Sequence, residues 1–183
     1  GGGGGGGGAG GGGGGGRGEG QAGGGGGGGG GAIMAIGSSP SLFNTLFYGN
    51  QAAGYGGALY LNNSSPYLYF ATLVSNRAAF GGAMAMIGRA APQLNTSSVA
   101  YNSPYNRDSC CVEDGQEGPA PYLLFTNLYN PEGMEDVDPP YIDASNPEVE
   151  PGFLTYNESG WPTDIHLSVD SPLVDEGDPS FID

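Results

Sequence analysis

The chain has 183 residues, 40 of them glycine and none of them lysine, and its formal net charge at pH 7 is −15. That charge repels phosphate backbones, so the composition argues against nucleic-acid binding. No run of 18 apolar residues occurs, so the sequence predicts no membrane span. The chain opens on glycine without a signal peptide, and we interpret it as a fragment or mature product of a longer protein.

Residues 1–29 form a glycine-rich low-complexity segment. Residues 1–31 hold 26 glycines, interrupted only by Ala9, Arg17, Glu19, Gln21 and Ala22. One interpretation is a flexible linker, or a polyglycine rod packed against its copies. The other is backbone whose side chains are unassigned and written as glycine.

Residues 30–107 contain a repeat of about 26 residues, a period typical of a solenoid. Asn50, Asn76 and Asn102 recur at one constant spacing. The same spacing relates the prolines at 40, 66 and 92, while Gly-Gly doublets begin at 30, 56 and 81. We therefore divide the region into three coils, residues 30–55, 56–80 and 81–107.

Each coil contains three short apolar runs bounded by turn residues, and these runs predict strands rather than helices. The predicted strands are 32–36, 41–44 and 45–48 in the first coil, 58–61, 67–70 and 72–75 in the second, and 83–87, 93–96 and 98–101 in the third. Coiling the chain would pair each strand in parallel with its equivalent one turn later, about 4.8 Å away.

The repeat also predicts which side chains stack. Two apolar columns should fill the core, and they are Leu42, Leu68, Leu94 and Ile33, Leu59, Met84. Asn50, Asn76 and Asn102 should form an amide ladder at one corner. We expect these residues to be scaffold. The outer face of the first strands should then be flat and mostly apolar, formed by Ala32, Met34, Ala58, Tyr60, Ala83 and Ala85.

Residues 108–183 form an acidic C-terminal region that we expect to supply closing coils and a cap. It holds eighteen of the nineteen acidic residues, whereas residues 30–107 carry three arginines and no acid. The carboxylates of Asp170, Asp175 and Asp178, with Asp164 and Glu176 near them, are one candidate Ca²⁺ site. The alternative is a solvated acidic surface, and no other cofactor is indicated.

Two sets of motifs resemble known families. The stretch Phe47-Tyr48-Gly49-Asn50, followed by Gly56-Gly57-Ala58-Leu59, resembles the paired F-x-x-N and G-G-A-[ILV] motifs of polymorphic outer-membrane proteins. The segments 150–153, 164–167 and 171–178 are similar to the closing coils of secreted right-handed parallel β-helix proteins. The resemblance implies an all-β, right-handed parallel β-helix (solenoid) from a surface or secreted protein, and it implies no single activity.

The candidate catalytic and metal-binding residues are few. Cys110 and Cys111 are adjacent and are the only cysteines, so a strained vicinal disulfide, a bridge to another chain and two free thiols all stay open. With His166 as the only histidine, a zinc site within one chain is not expected. Glycoside hydrolysis needs two carboxylates across a groove, and residues 30–107 have none.

Arg77 and Arg89 are the residues that a polysaccharide lyase would use as a base, but neither has an acidic companion in sequence. We therefore predict that the chain is not an enzyme, with a lyase or glycosidase as the enzyme alternative. Four asparagines begin glycosylation sequons, namely Asn62, Asn63, Asn95 and Asn157. Their use depends on the source organism.

The sequence therefore favours a non-catalytic extracellular structural protein, a building block of a cell-surface layer, appendage or filament. Its expected partners are other copies of itself or other surface proteins, since a flat apolar face is seldom left in water. The alternative is a carbohydrate-binding or polysaccharide-cleaving β-helix, because tyrosines on a flat sheet stack on sugar rings. Arginines grouped with outward tyrosines would favour that alternative.

Overall fold

A computed structural model describes residues 30–103, 121–129, 149–160 and 162–174, together with the backbone of residues 107–110. This part of the chain is all-β and contains no helix. Accordingly, the described residues include no helix with the length and apolar character needed to cross a bilayer.

Most of the described strands follow one another in groups of three. Their bounds are β1 (Ile33–Ile36), β2 (Ser41–Phe43), β3 (Leu46–Tyr48), β4 (Leu59–Asn62), β5 (Tyr67–Tyr69), β6 (Thr72–Val74), β7 (Met84–Ile87), β8 (Gln93–Asn95), β9 (Ser98–Ala100), β10 (Arg107–Cys110), β11 (Tyr122–Leu124) and β12 (Asn127–Tyr129). The bounds of β1 to β9 agree with the predicted strands to within one residue.

These strands build three parallel sheets that run along the solenoid. The first sheet has the order β1-β4-β7-β10, the second β2-β5-β8-β11 and the third β3-β6-β9-β12. In the first sheet Ile33 pairs with Leu59, and Leu59 pairs with Met84, so each strand meets its equivalent in the next turn. The prediction of a parallel β-solenoid with a repeat of about 26 residues is therefore confirmed, over about three turns.

The predicted leucine column lies inside the coil. Leu42 pairs with Leu68, which pairs with Leu94, and Leu94 pairs with Leu123. The last three are almost fully buried, whereas Leu42 in the first turn is only partly covered. Burying one leucine side chain contributes about 1.5–3 kcal/mol, so the column is a main source of the solenoid's stability.

The glycine doublets fit the corner that precedes the first sheet. Gly56 has a φ of +66°, which glycine adopts without strain. Gly57 packs directly against the next turn, where an added Cβ would overlap the carbonyl oxygen of Gly82. Gly56 is therefore required by its φ, and an added Cβ on either glycine would overlap a backbone carbonyl oxygen.

The prediction for the outer face of the first sheet was wrong at two positions, and a third predicted position, Ala85, keeps the outward register of Tyr60 but is only 1% exposed. Ala58 and Ala83 are fully buried in the core cluster rather than turned outward. The backbone N–H groups of Ala58 and Leu59 both donate to the Ala83 carbonyl oxygen, each at 2.9 Å. Because two successive N–H groups share one acceptor, the alternation of inward and outward side chains is interrupted just before the strand begins. The inward or outward direction of the residue before the strand therefore cannot be predicted by continuing that alternation. Met34 is exposed as predicted.

Strands β10, β11 and β12 add one further strand to each sheet beyond the three predicted coils. Leu123 lies farther along the chain from Leu94 than Leu94 lies from Leu68, so the period lengthens at this turn. The signal for it is present, because Pro121-Tyr122-Leu123 repeats the Pro-x-Leu pattern of Pro66-Tyr67-Leu68.

The described residues of the acidic region end in a β-hairpin, called here the hairpin, formed by β13 (Phe153–Tyr156) and β14 (Pro162–Leu167). The two strands pair antiparallel. The hairpin packs on the outer face of the third sheet, on the side of the solenoid, where Phe153 contacts a cluster with Val74 and Ala100.

Candidate functional site

The outer face of the third sheet carries two columns of side chains. Phe47, Leu73, Val99 and Leu128 point into the core, so their neighbours in β3, β6, β9 and β12 point outward. One outward column is Tyr48, Val74, Ala100 and Tyr129, and the other is Leu46, Thr72, Ser98 and Asn127. The hairpin covers most of the first column and leaves cavities beside it.

An aromatic cluster fastens the hairpin to the solenoid. The ring of Tyr101 lies 6.2 Å from that of Phe153 and 5.8 Å from that of Tyr156, measured between centroids. The Tyr101 hydroxyl donates to Glu150 Oε1 at 3.0 Å. Burial raises the pKa of Tyr101 far above its usual value, and Tyr156 and Glu150 raise it further. Burial also raises the pKa of Tyr156.

The first cavity, called here the arginine cavity, has a volume of about 320 Å³ and lies between the hairpin and the corner after the third sheet. Arg77, Tyr48 and Asn157 line it. The Tyr48 hydroxyl donates to the Pro162 carbonyl oxygen at 3.2 Å, which anchors one wall. Among the described residues, the buried Ser75 Oγ in this lining has no hydrogen-bond partner. A guanidinium beside amides and hydroxyls suits a carboxylate or a hydroxyl-rich ligand.

The second cavity, called here the corner cavity, has a volume of about 250 Å³. It lies where the chain turns from the second sheet to the third, and Leu167 and Leu173 cover it from the hairpin side. Phe70, Phe125, Ser98 and Asn127 line it. The described lining contains no ionisable side chain.

The predicted asparagine ladder is confirmed and serves as scaffold. Asn50 Nδ2 donates to Asn76 Oδ1 at 2.8 Å, and Asn76 Nδ2 donates to Asn102 Oδ1 at 2.9 Å. The backbone N–H groups of Asn50 and Asn76 donate to the same two oxygens. Because Asn76 and Asn102 are fully buried and their amides bond within the ladder and to backbone carbonyl oxygens, they are not offered to a ligand.

The two candidate arginines lie apart on the fold. Arg77 follows the third sheet, where its backbone bridges Gln51 and Ser103 in neighbouring turns. Arg89 follows the first sheet, and its N–H donates to Asn63 Oδ1 at 3.1 Å. Both side chains are exposed. The structure thus places Arg77 with an outward tyrosine in one cavity and leaves Arg89 on a different corner.

The candidate calcium site falls largely outside the described residues, because only Asp170 of its three carboxylates is described. Within the described part of the chain, no group of three or more histidine, cysteine and acidic residues is placed to hold a metal ion. Cys111 also lies outside that part, whereas Cys110 ends strand β10, so a vicinal disulfide, a bridge to another chain and two free thiols all stay open.

His166 contacts Asp164 on the exposed edge of the hairpin, with Nδ1 and Oδ1 2.6 Å apart. Hydrogen bonds from the His166 side chain and backbone lower the pKa of Asp164.

The four sequons lie at different sites. Asn63 and Asn157 are exposed in turns, and Asn62 is half-buried at the end of β4. Asn95 ends β8 on the outer face, since its neighbour Leu94 points into the core. Asn63 and Asn157 are therefore accessible to a glycan, and the use of all four sequons stays a prediction.

Neither cavity was predicted from the sequence. Both depend on where the hairpin docks, and no repeat in the sequence relates the hairpin to the third sheet. A partial signal exists at the corner cavity. Its corner column reads Asn44, Phe70, Thr96, Phe125, and all four residues have a positive φ between 45° and 54°. Phenylalanine is unusual in that conformation.

No protein-family model matches this sequence, and neither a curated protein nor a solved structure shows a significant match to the chain. The function must therefore be argued from the geometry.

Proposed function

We propose that the protein is a non-catalytic extracellular β-helix that serves as a building block of a cell-surface layer, appendage or filament, and that it binds a second copy through its first turn. The observation that carries this proposal is the incomplete burial of that turn. Ile33 and Leu42 are partly covered, while their equivalents Leu59 and Leu68 one turn later are fully buried.

Four further large apolar side chains of the first turn are exposed to solvent. They are Met34, Ile36, Phe43 and Leu46. Strand edges with such side chains invite pairing with another chain. No acidic or basic residue occurs from residue 30 to residue 76, so the strands that two copies would join at this turn carry no charge of their own. A second copy is the occupant to which the uncharged surface is best suited.

The motif resemblance supports the extracellular part of this proposal. The Phe47-to-Asn50 stretch and the following Gly-Gly-Ala-Leu are similar to motifs of polymorphic outer-membrane proteins, and the sequons at exposed turns are compatible with a glycoprotein. We therefore include an extracellular location and glycosylation in the proposal, together with assembly.

Sedimentation velocity over a range of protein concentrations tests assembly. We expect the wild-type protein to associate and the double variant I36K/L46K to stay monomeric, because lysines would repel one another across the contact. The matched control is L154K/V169K, which places two lysines on exposed apolar positions in the hairpin and just after it. Leu154 is 53% exposed and Leu46 is 55% exposed. A monomeric wild-type protein, or equal dissociation of both double variants, contradicts the proposal.

The non-catalytic part has its own test. Incubation with a panel of neutral and acidic polysaccharides should release no new reducing or unsaturated ends. Turnover that is lost on changing Arg77 or Arg89 to glutamine would show that the protein is an enzyme.

A second candidate function is carbohydrate binding, and the grouping of Arg77 with the outward Tyr48 favours it. The outer face of the second sheet adds support. Phe43 and Tyr69 are stacked there, with centroids 5.2 Å apart and planes 6° apart, while Tyr67 and Tyr122 are exposed. Aromatic side chains on a flat sheet offer stacking surfaces to sugars.

A glycan array tests this candidate. Binding should weaken in R77Q or in Y67A/Y122A and should be kept in F80A, which removes an exposed ring that stacks on Tyr55 elsewhere. Absence of binding to every glycan would contradict carbohydrate binding and leave assembly unaffected.

A further inference from the structure

The corner cavity contains two polar groups that have no partner within the described part of the chain. Asn127 is 1% exposed. Its Oδ1 accepts from the Val149 N–H at 3.1 Å, but its Nδ2 has no hydrogen-bond partner among the described residues. Ser98 Oγ, one turn earlier in the same outward column, is buried and unpartnered there as well. A buried polar group without a partner is costly, so two of them lining one cavity point to a ligand that completes them.

The rest of the lining defines the chemistry of that ligand. Phe70 and Phe125 are two turns apart in the corner column, and both hold positive φ angles that are strained for bulky residues. Asn44 fills the equivalent position in the first turn, where the same φ costs an asparagine less. Thr72 and Thr96 add hydroxyl-bearing side chains to the lining. The described lining thus offers apolar rings, hydroxyls and one amide donor, and it carries no charge. Such a lining complements a ligand that has both C–H faces and hydroxyl groups.

Size and charge narrow the class further. The cavity, at about 250 Å³, lies below the range of roughly 300–1,000 Å³ that is usual for drug-sized ligands. The protein's net charge of −15 disfavours an anionic ligand. We infer that the corner cavity binds one neutral sugar ring, held by hydrogen bonds to Ser98 and Asn127 and flanked by Phe70 and Phe125. This inference deepens the carbohydrate-binding candidate and is independent of assembly.

The decisive variant is Ser98→Ala, because its expected effects on stability and on sugar affinity differ. Removing a buried hydroxyl that lacks a partner should leave the thermal midpoint of the apo-protein unchanged or raised. It should also weaken sugar binding by about two- to tenfold, the value of one hydrogen bond. Asn127→Ala is a less suitable test, because it would also break the bond from Val149.

Ser97→Ala is the matched control on the neighbouring residue of the same cavity. Ser97 Oγ is already satisfied, since it donates to the Asn95 carbonyl oxygen at 2.9 Å and accepts from the Ala71 N–H at 3.1 Å. Its removal should lower the thermal midpoint and leave sugar affinity unchanged at temperatures where the variant is folded.

Saturation-transfer NMR with methyl glucoside, methyl galactoside, methyl mannoside and N-acetylglucosamine, each titrated to saturation, measures the binding. Saturable binding of at least one sugar, weakened in S98A and kept in S97A, supports the inference. No saturable binding, or equal affinity in wild type and S98A, overturns it and leaves the cavity to water. A third outcome is that glucuronate binds, that R77Q weakens this binding, and that the neutral sugars do not bind. This outcome overturns the inference but preserves the carbohydrate-binding candidate.

Discussion

The solenoid and the hairpin are stabilised in different ways. In the solenoid, each turn meets an equivalent turn, so leucines stack on leucines and the asparagine amides bond to one another. The hairpin meets the solenoid through contacts that occur once, centred on Tyr101, Phe153 and Tyr156. Damage to a ladder should therefore affect the whole solenoid, while damage to the aromatic cluster should affect the hairpin alone.

The largest expected effect follows from breaking the ladder at its middle. Asn76→Ala removes the acceptor for Asn50, the donor to Asn102 and the donor to the Phe47 carbonyl oxygen, which lies 3.0 Å from Asn76 Nδ2. Leaving these buried groups unsatisfied should cost roughly 3–5 kcal/mol of unfolding free energy. Chemical denaturation followed by circular dichroism measures the loss.

The control for that variant is Asn157→Ala in the hairpin. Asn157 is exposed, and its Oδ1 accepts from the Ser159 N–H at 2.9 Å. A loss below about 1 kcal/mol is expected there, since the freed groups can bond to water. Similar losses from both variants would show that the asparagine column is not what holds the turns together.

The ladder was predictable because one residue type recurs at a constant spacing. That spacing sets which strands pair, which side chains point into the core and which residues lie at each corner. Asn50, Asn76 and Asn102 were placed from their spacing alone, and the structure stacks them. The fourth turn was not placed, because the step from Leu94 to its partner Leu123 is longer than the repeat that precedes it. A fixed period predicts a solenoid only as far as the loops between its strands keep their length.

The next effect in size concerns the aromatic cluster. Phe153→Ala should cost about 3 kcal/mol of hairpin docking. Because the described apolar anchors of the hairpin centre on this aromatic cluster, we expect the hairpin to open without unfolding the solenoid. Hydrogen exchange should become faster in residues 153–156 and 162–167 and stay slow in Tyr67–Tyr69.

Leu154→Ala is the control, because Leu154 neighbours Phe153 and is exposed. It should change the exchange rates of neither region. Loss of protection throughout the solenoid in Phe153→Ala would mean that the two regions unfold as one unit rather than separately.

The candidate site was less predictable than the fold. Arg77 was singled out by residue type, but its neighbours Tyr48 and Asn157 are far from each other in the chain and meet only because the hairpin folds back. Ser98 and Asn127 had no signal as ligand-binding residues. That Ser98 Oγ and Asn127 Nδ2 have no hydrogen-bond partner among the described residues is a property of the packed structure, which spacing cannot reveal.

A smaller effect is expected from one hydroxyl of the cluster. Tyr101→Phe removes the bond to Glu150 and should cost about 1 kcal/mol at neutral pH. The pKa of Tyr101 is raised in the folded protein, whereas an unfolded tyrosine titrates near about 10. Its contribution to stability is therefore complete below about pH 10 and is lost as the pH rises further.

Denaturation at neutral pH and above about pH 10 separates the two effects of Tyr101→Phe, because the variant should lose less stability than wild type in alkali. The exposed Tyr122, on the second sheet, supplies the control Tyr122→Phe, which should behave as wild type. An alkaline loss that is the same in wild type and Tyr101→Phe would show that the Tyr101 phenol does not govern it.

The smallest effect is expected at Asp164 and His166. Hydrogen bonds from His166 lower the pKa of Asp164, so any contribution is present above the unfolded carboxyl value and is lost as the pH falls through the folded one. The pair is exposed, and water screens its attraction. Asp164→Asn should therefore leave hairpin stability unchanged at neutral pH, when measured by the same denaturation. If it instead destabilised the hairpin more than Tyr101→Phe does, a surface pair rather than the aromatic cluster would be the main anchor of the hairpin.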